Sequence, residues 1–358
     1  MSVWLPPDGQ REFGEGMDGR PDGRTHNRAR DVSRETFDPA VAATEHSTSQ
    51  QARPQAGPPT QSSSEEWMWT PIAEEAERAA RVLHPDGHMM PRPAHRRILT
   101  IANQKGGVGK TTSAVNLAAA LTSYGMRVLV IDLDPQGNAS TALGVEHTSG
   151  TPSVYECLLG EIALTDAAVP STQSPDLICV PATIDLAGAE IELVSMVARE
   201  QRLKQALDPQ VLDQLDVDYV LVDCPPSLGL LTVNALVATS EVLIPIQCEY
   251  YALEGLGQLL NNIELVRAHL NRQLHVSTIL LTMYDGRTKL ADQVTNEVRK
   301  HFGERVLRTV IPRSVKVSEA PGFGQTVLAY DPGSRGAMSY MDAAREMVVA
   351  QYEAESAR

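Results

Sequence analysis

The sequence predicts an α/β domain, a mostly parallel twisted sheet with helices on both faces, preceded by a largely disordered N-terminal tail. Two observations carry this. From Arg97 onward, short apolar β-branched runs alternate with amphipathic stretches, the pattern of strands buried on both faces and joined by covering helices. Before that point the chain is rich in Pro, Gly, Ser, Gln and Arg and contains no Lys. Such a composition buries too little apolar surface to offset chain entropy. The expected division is therefore 1–97 as tail and 98–358 as folded domain.

Within the tail, Thr70 and Pro71 followed by IAEEAERAARVL predict a short helix near 70–83, with an N-cap, Pro in the first turn, early acids and later arginines. Ile72, Ala76, Ala79, Ala80 and Leu83 share one face of it, beside Trp67 and Trp69. That face either rests on the domain or docks another protein. In the domain, ILTIAN (98–103) reads as a buried strand, and VNLAAALTSYG continues a helix to its Gly stop. RVLVID (127–132) and DLICVPA (176–182) are further strands, followed by a helix over 186–196. DYVLVD, EVLIPI, HVSTILLT and RVLRTVIP are the later strands, with helices near 229–239, 253–270, 289–301 and 335–352. No internal repeat is present.

The bulk numbers exclude several classes. A formal charge of −14 over 358 residues argues against a chain coated by nucleic acid, although a local basic patch remains compatible with it. The four cysteines are widely spaced with no C-x-x-C pair, which speaks against a disulfide framework or a zinc site. No apolar run approaches the roughly 18 residues of a membrane span. The N-terminus has no basic start followed by an apolar stretch, so the expected location is cytoplasmic.

Three motifs carry chemistry. Directly after the first strand comes Lys105-Gly106-Gly107-Val108-Gly109-Lys110-Thr111-Thr112. Glycines let backbone N–H groups converge on phosphate oxygens and deliver them to a helix N-terminus. Lys110 is placed to neutralise the β and γ phosphates, and the Thr111 hydroxyl to reach Mg²⁺. The general P-loop has Gly five residues before Gly109, where this chain has Gln104. At the end of the second strand, Asp132 and Asp134 of DLDPQGN point to the same crevice, because ligands of parallel sheets sit at strand carboxyl ends. One carboxylate can hold Mg²⁺ and the other can orient an attacking water. Asp223, ending DYVLVD, fits a Walker B carboxylate of the Mg²⁺ shell. The implied ligands are ATP and Mg²⁺.

With Lys105 the loop reads KGGVGKT, a deviant Walker A, and the domain resembles the ParA/MinD superfamily of deviant P-loop NTPases. The stretches NQKGGVGKTT, DLDPQGNAST, PATIDLAGAEIELV, DCPPSLGLLTVNAL, IPIQCEYYALEGL, LLTMYDGRT and VIPRSVKVSEAPGFG resemble its chromosomal ParA (Soj) branch in particular, from about residue 97 to the C-terminus. The resemblance implies a slow ATPase whose ATP-bound sandwich homodimer binds DNA without regard to sequence. A ParB-type centromere-binding protein stimulates hydrolysis and release, which drives chromosome segregation from a nucleoid-associated state. It also implies that Lys105 reaches the partner's nucleotide, that Asp134 orients the water and that Asp132 lies on the metal side. Arg287 and Lys316 match DNA-binding positions of the branch, with Arg313 and Arg299 or Lys300 as helpers. Base contacts are expected from the 282–285 and 311–315 loops.

The same engine could position a plasmid or a protein cluster. A MinD-like membrane role fits less well, since AAREMVVAQYEAESAR has few bulky anchors and little positive charge. No stable membrane association is expected. An iron–sulfur electron carrier would need a second cysteine in a Gly-rich loop besides Cys224, and the chain has none resembling it.

Overall fold

The computed structural model describes residues 89–249 and 254–356. The expected helix at 70–83, and the tail before residue 89, lie outside the described residues. Residues 89–96, on the tail side of the expected boundary, are seated on the domain. The Met90 amide donates to the Tyr124 carbonyl at 3.1 Å. Arg92 and Arg96 pair with Asp218 and Asp213 at 3.4 and 2.9 Å.

Eight strands form one sheet: β1 (Arg97–Ile101), β2 (Val128–Asp132), β3 (Val169–Ser171), β4 (Ser174–Val180), β5 (Tyr219–Asp223), β6 (Glu241–Gln247), β7 (His275–Tyr284) and β8 (Val306–Pro312). Their spatial order is β3-β4-β2-β5-β1-β6-β7-β8. Every neighbouring pair is parallel except the edge hairpin of β3 and β4. The sheet is thus mostly parallel, as its apolar runs predict. β2 and β5 are buried along their whole length, which is why they read as unbroken apolar stretches instead of alternating ones.

Among the described residues, six helices of nine or more residues cover the sheet: α1 (Lys110–Ser123), α2 (Leu186–Val194), α3 (Leu230–Ala238), α4 (Glu254–His269), α5 (Lys289–Phe302) and α6 (Arg335–Ser356). Side chains alternate between the faces at the period of a strand. Tyr219 and Leu221 of β5 pack with α1 and α6, whereas Val220 and Val222 pack with α2 to α5. From Ala114 to Leu121, α1 is buried at every position. Its alanines keep it narrow enough to lie close to the sheet under α6, and they are the best helix formers.

Three departures from the expected elements matter for the site. β1 stops at Ile101, where the Ala102 amide makes the last ladder bond to Leu243 of β6 at 3.2 Å and the glycine loop begins. The hairpin strand β3 is short and half exposed, so it carries no apolar run to be read. A helix at Val154–Leu159 is fixed by a capping box in which the Ser153 hydroxyl accepts the Tyr155 amide (3.2 Å) and Glu156 accepts the Ser153 amide (2.9 Å).

β1 is flanked by β5 on one side and β6 on the other. After β1 the chain crosses past β5 to build β2, and after β5 it crosses back to build β6. The carboxyl end of β1 is therefore a switch point, where the loops diverge and leave a crevice.

A candidate nucleotide site

The loop from Asn103 to Gly109 fills that crevice and is tied down from below. Asn103 donates its side-chain amide to the Pro245 carbonyl at 2.7 Å and accepts the Lys105 amide at 3.1 Å. The Thr282 hydroxyl, at the end of β7, donates to the Val108 carbonyl at 2.8 Å. Val108 is buried beneath the loop, while Gly106 and Gly107 are exposed on it. Gly109 caps α1 with φ of 89°, a left-handed conformation that a Cβ would strain. The half-buried Thr111 and Thr112 follow in the first turn of α1. No side-chain cap and no acid occupy that turn, so its amides keep their partial positive charge for a ligand.

Lys110 is only 7% exposed. Burial lowers its pKa, and the neighbouring Asp223, Cys224 and Asp134 work against that. Its ammonium sits 3.4 Å from the Lys105 carbonyl. A lysine held this deep among acids is a fixed counter-charge.

The three aspartates converge but differ in their partners. Asp132, fully buried, is saturated by protein donors. One oxygen accepts the Asp134 amide (3.2 Å), and the other accepts the Ser140 amide (2.8 Å) and hydroxyl (2.7 Å). Burial still pushes its carboxyl up to about 6. Asp223 is also fully buried, yet neither oxygen has a hydrogen-bond partner. Burial first, then the charge of Asp132, raise it well above the ordinary carboxylate range. Thr111 and Lys110 lie near enough to pull the other way, though the threonine makes no hydrogen bond of normal geometry to it. Asp134 is 9% exposed and accepts the Gln136 amide on Oδ1 at 3.1 Å, leaving Oδ2 without a hydrogen bond among the described residues.

An orphaned buried carboxylate beside a threonine hydroxyl suits a Mg²⁺ ion that takes its remaining ligands from water and phosphate. Among the described residues no group of three His, Cys, Asp or Glu side chains forms an all-protein cage. All four cysteines are buried free thiols, each raised by burial, which leaves none poised as a cluster ligand.

Lys105 stands at the rim, its ammonium 3.2 Å from Glu249 after β6. The residues expected to meet DNA lie further along the same end of the sheet. Arg287 forks onto Asp285 through Nε (2.8 Å) and a terminal nitrogen (2.7 Å), holding that carboxyl down at about 2. The Arg313 amide donates to Tyr284 at 3.0 Å, so the loops after β7 and β8 adjoin. Lys316 is on the next short helix, 3.3 Å from Glu319 and 5.4 Å above the Tyr330 ring. Arg299 does not join them. It donates to the Arg308 carbonyl at 2.9 Å, and ten residues into α5 it is about 15 Å along the helix from Lys289.

Residue reasoning did not single out Asn103, Ser140, Thr282 or Glu249. Among the described residues no helix is long and apolar enough to cross a membrane.

Residues 96–276 match the family described as an AAA domain. The chain is 53% identical over 251 residues to the sporulation initiation inhibitor protein Soj of Bacillus subtilis, covering 70% of this chain and 98% of that one. It is 52% identical over 252 residues to the chromosome partitioning protein ParA of Caulobacter vibrioides, covering 70% and 94%. A solved structure described as cobyrinic acid a,c-diamide synthase from Mycobacterium smegmatis, with bound ATP analog and magnesium, is similar with TM-score 0.62 and 39% identity. It covers 72% of this chain and 96% of that one. The cell division ATPase MinD of Pyrococcus furiosus is similar with TM-score 0.57 and 26% identity over 71% of this chain and 99% of its own.

Proposed function

Because the chain belongs to the AAA-domain family and to the group of Soj and ParA chromosome-partitioning proteins within it, we propose that it is a Mg²⁺-dependent ATPase that partitions DNA. In this reading it switches between a monomer and an ATP-bound dimer. The observation that carries the proposal is the unpartnered, fully buried carboxylate of Asp223 beside Lys110, at the mouth of an uncapped helix. A structure 39% identical to this chain holds an ATP analog and magnesium.

The glycine loop and the first amides of α1 bind the phosphates, and Lys110 neutralises the charge that builds on them. Bound Mg²⁺ would supply further charge neutralisation at the phosphates. Asp223 and Thr111 would hold the ion. Asp132 acts one step behind, since its oxygens are already bonded to Ser140 and Asp134. Asp134 keeps one oxygen to orient the water that attacks the γ-phosphorus.

Lys105 reaches across a dimer to the partner's nucleotide. Its exposed pair with Glu249 is no obstacle, because such pairs contribute about 0–1 kcal/mol. In the dimer, Arg287, Arg313 and Lys316 meet DNA phosphates, and two copies of a weak patch act together. Asp285 and Glu319 hold the first and last of these side chains in place in the free protein. A ParB-type partner ends the cycle by stimulating hydrolysis.

Asp134→Ala tests the catalytic half. The variant should bind ATP and dimerise, seen by light scattering, yet fail to hydrolyse. Turnover at the unsubstituted rate would take the water-orienting role from Asp134.

A further inference from the structure

Outside the phosphate loop, the hydroxyl of Ser140 is bonded on both sides near the reacting end. It is fully buried in the short helix Asn138–Ala142 that follows Asp132 and Asp134. As donor it reaches Asp132 at 2.7 Å, and as acceptor it takes the amide of Ala182 at 3.1 Å, just beyond the end of β4. One hydroxyl thus links the carboxyl ends of two paired strands, β2 and β4. The other oxygen of Asp132 accepts the Asp134 amide at 3.2 Å. The loop is closed tightly on the same side, since a Cβ on Gly137 would come within 3.1 Å of the Ala182 carbonyl.

We propose that Ser140 is a positioning residue for hydrolysis: by bridging Asp132 and Ala182, its hydroxyl fixes the loop that carries Asp134. This rests on the ATPase reading above. Removing the hydroxyl takes a charge-assisted bond from Asp132 and leaves the Ala182 amide buried without its acceptor. Asp132 then keeps only the Ser140 amide on that oxygen and can tilt, and the Asp134 amide follows it. A displacement of about 1 Å in a reacting arrangement costs roughly a hundredfold in rate. The phosphate loop is secured separately, by Asn103 and Thr282, so nucleotide affinity does not depend on Ser140.

The test compares Ser140→Ala and Ser140→Thr in the full chain by steady-state hydrolysis, fluorescent-ATP binding and thermal midpoint. Ser140→Ala should lose about 10- to 100-fold in kcat, with KM and nucleotide Kd within about threefold, and Ser140→Thr should recover most of the rate by restoring the hydroxyl. Three results overturn the proposal: an unchanged kcat in Ser140→Ala, a loss of nucleotide affinity parallel to the loss of rate, or no recovery in a folded Ser140→Thr. Asp134→Ala measured beside them separates the two claims. Normal turnover there removes the role of Asp134, whereas slow Asp134→Ala with normal Ser140→Ala removes only that of Ser140.

Discussion

Asp223→Asn should make the nucleotide-free protein more stable and the nucleotide-binding protein worse. Both oxygens of Asp223 are buried with no hydrogen-bond partner, and the carboxyl is raised well above its ordinary value. Leaving a buried polar group unsatisfied costs about 1–3 kcal/mol, and more when it is charged. Asparagine keeps the shape and removes the charge, while Lys110 retains Asp134 as a neighbour and is not left bare. Recovering about 2 kcal/mol corresponds to roughly 4–8 °C in a domain of this size. The sign with pH follows from linkage. A carboxyl whose folded pKa is raised binds protons more tightly in the folded state, so its destabilising effect is absent near the ordinary value of 3.8 and develops as pH rises towards the folded value. The gain from Asp223→Asn should therefore be small near pH 3.8 and grow as pH rises. Thermal unfolding in EDTA, paired with Mg-ATP titration, measures both halves. A variant no more stable than the parent at neutral pH, with unchanged Mg-ATP affinity, would refute the reasoning.

Other substitutions report on separate parts of the site. Lys110→Ala should abolish ATP binding, because the loop loses its one buried counter-charge among the described residues. Near-normal affinity by fluorescent-nucleotide titration would contradict that. Arg287→Glu should weaken DNA binding at all sequences while ATP-dependent dimerisation continues, and the slope of log affinity against log salt should become shallower. Unchanged binding would move the contact elsewhere. In the nucleotide-free protein Asp132, raised to about 6, should make stability fall as pH climbs from its ordinary value of 3.8 through 6. Asp132→Asn should flatten that fall in a pH series of thermal midpoints.

The parts of this molecule that could be read from residue order are those governed by local chemistry. β2 and β5 announce themselves because burial on both faces demands apolar residues at every position, and Asp223 stands out as the first charge after such a run. The glycine loop is legible because its phosphate chemistry lies within eight consecutive residues. What could not be read depends on partners far away in the chain. Thr282 is an ordinary threonine in a strand until it meets Val108 across 174 positions, and Asn103 finds Pro245 across 142. Ser140 follows the aspartates closely, yet its second partner, Ala182, is set by the pairing of β2 with β4. The capping box of Ser153 and Glu156 was legible in principle, since its signal is local. The spatial order of the strands was not, because a parallel sheet is assembled by crossovers whose direction leaves no mark on the strands themselves.

The most direct test of the switch is DNA binding by Asp134→Ala with ATP, with ADP and without nucleotide, over a series of salt concentrations. Binding that appears only with ATP and weakens steeply with salt is the predicted result. Binding that ignores nucleotide, or none at all while the ATP dimer forms, would contradict a DNA clamp gated by dimerisation.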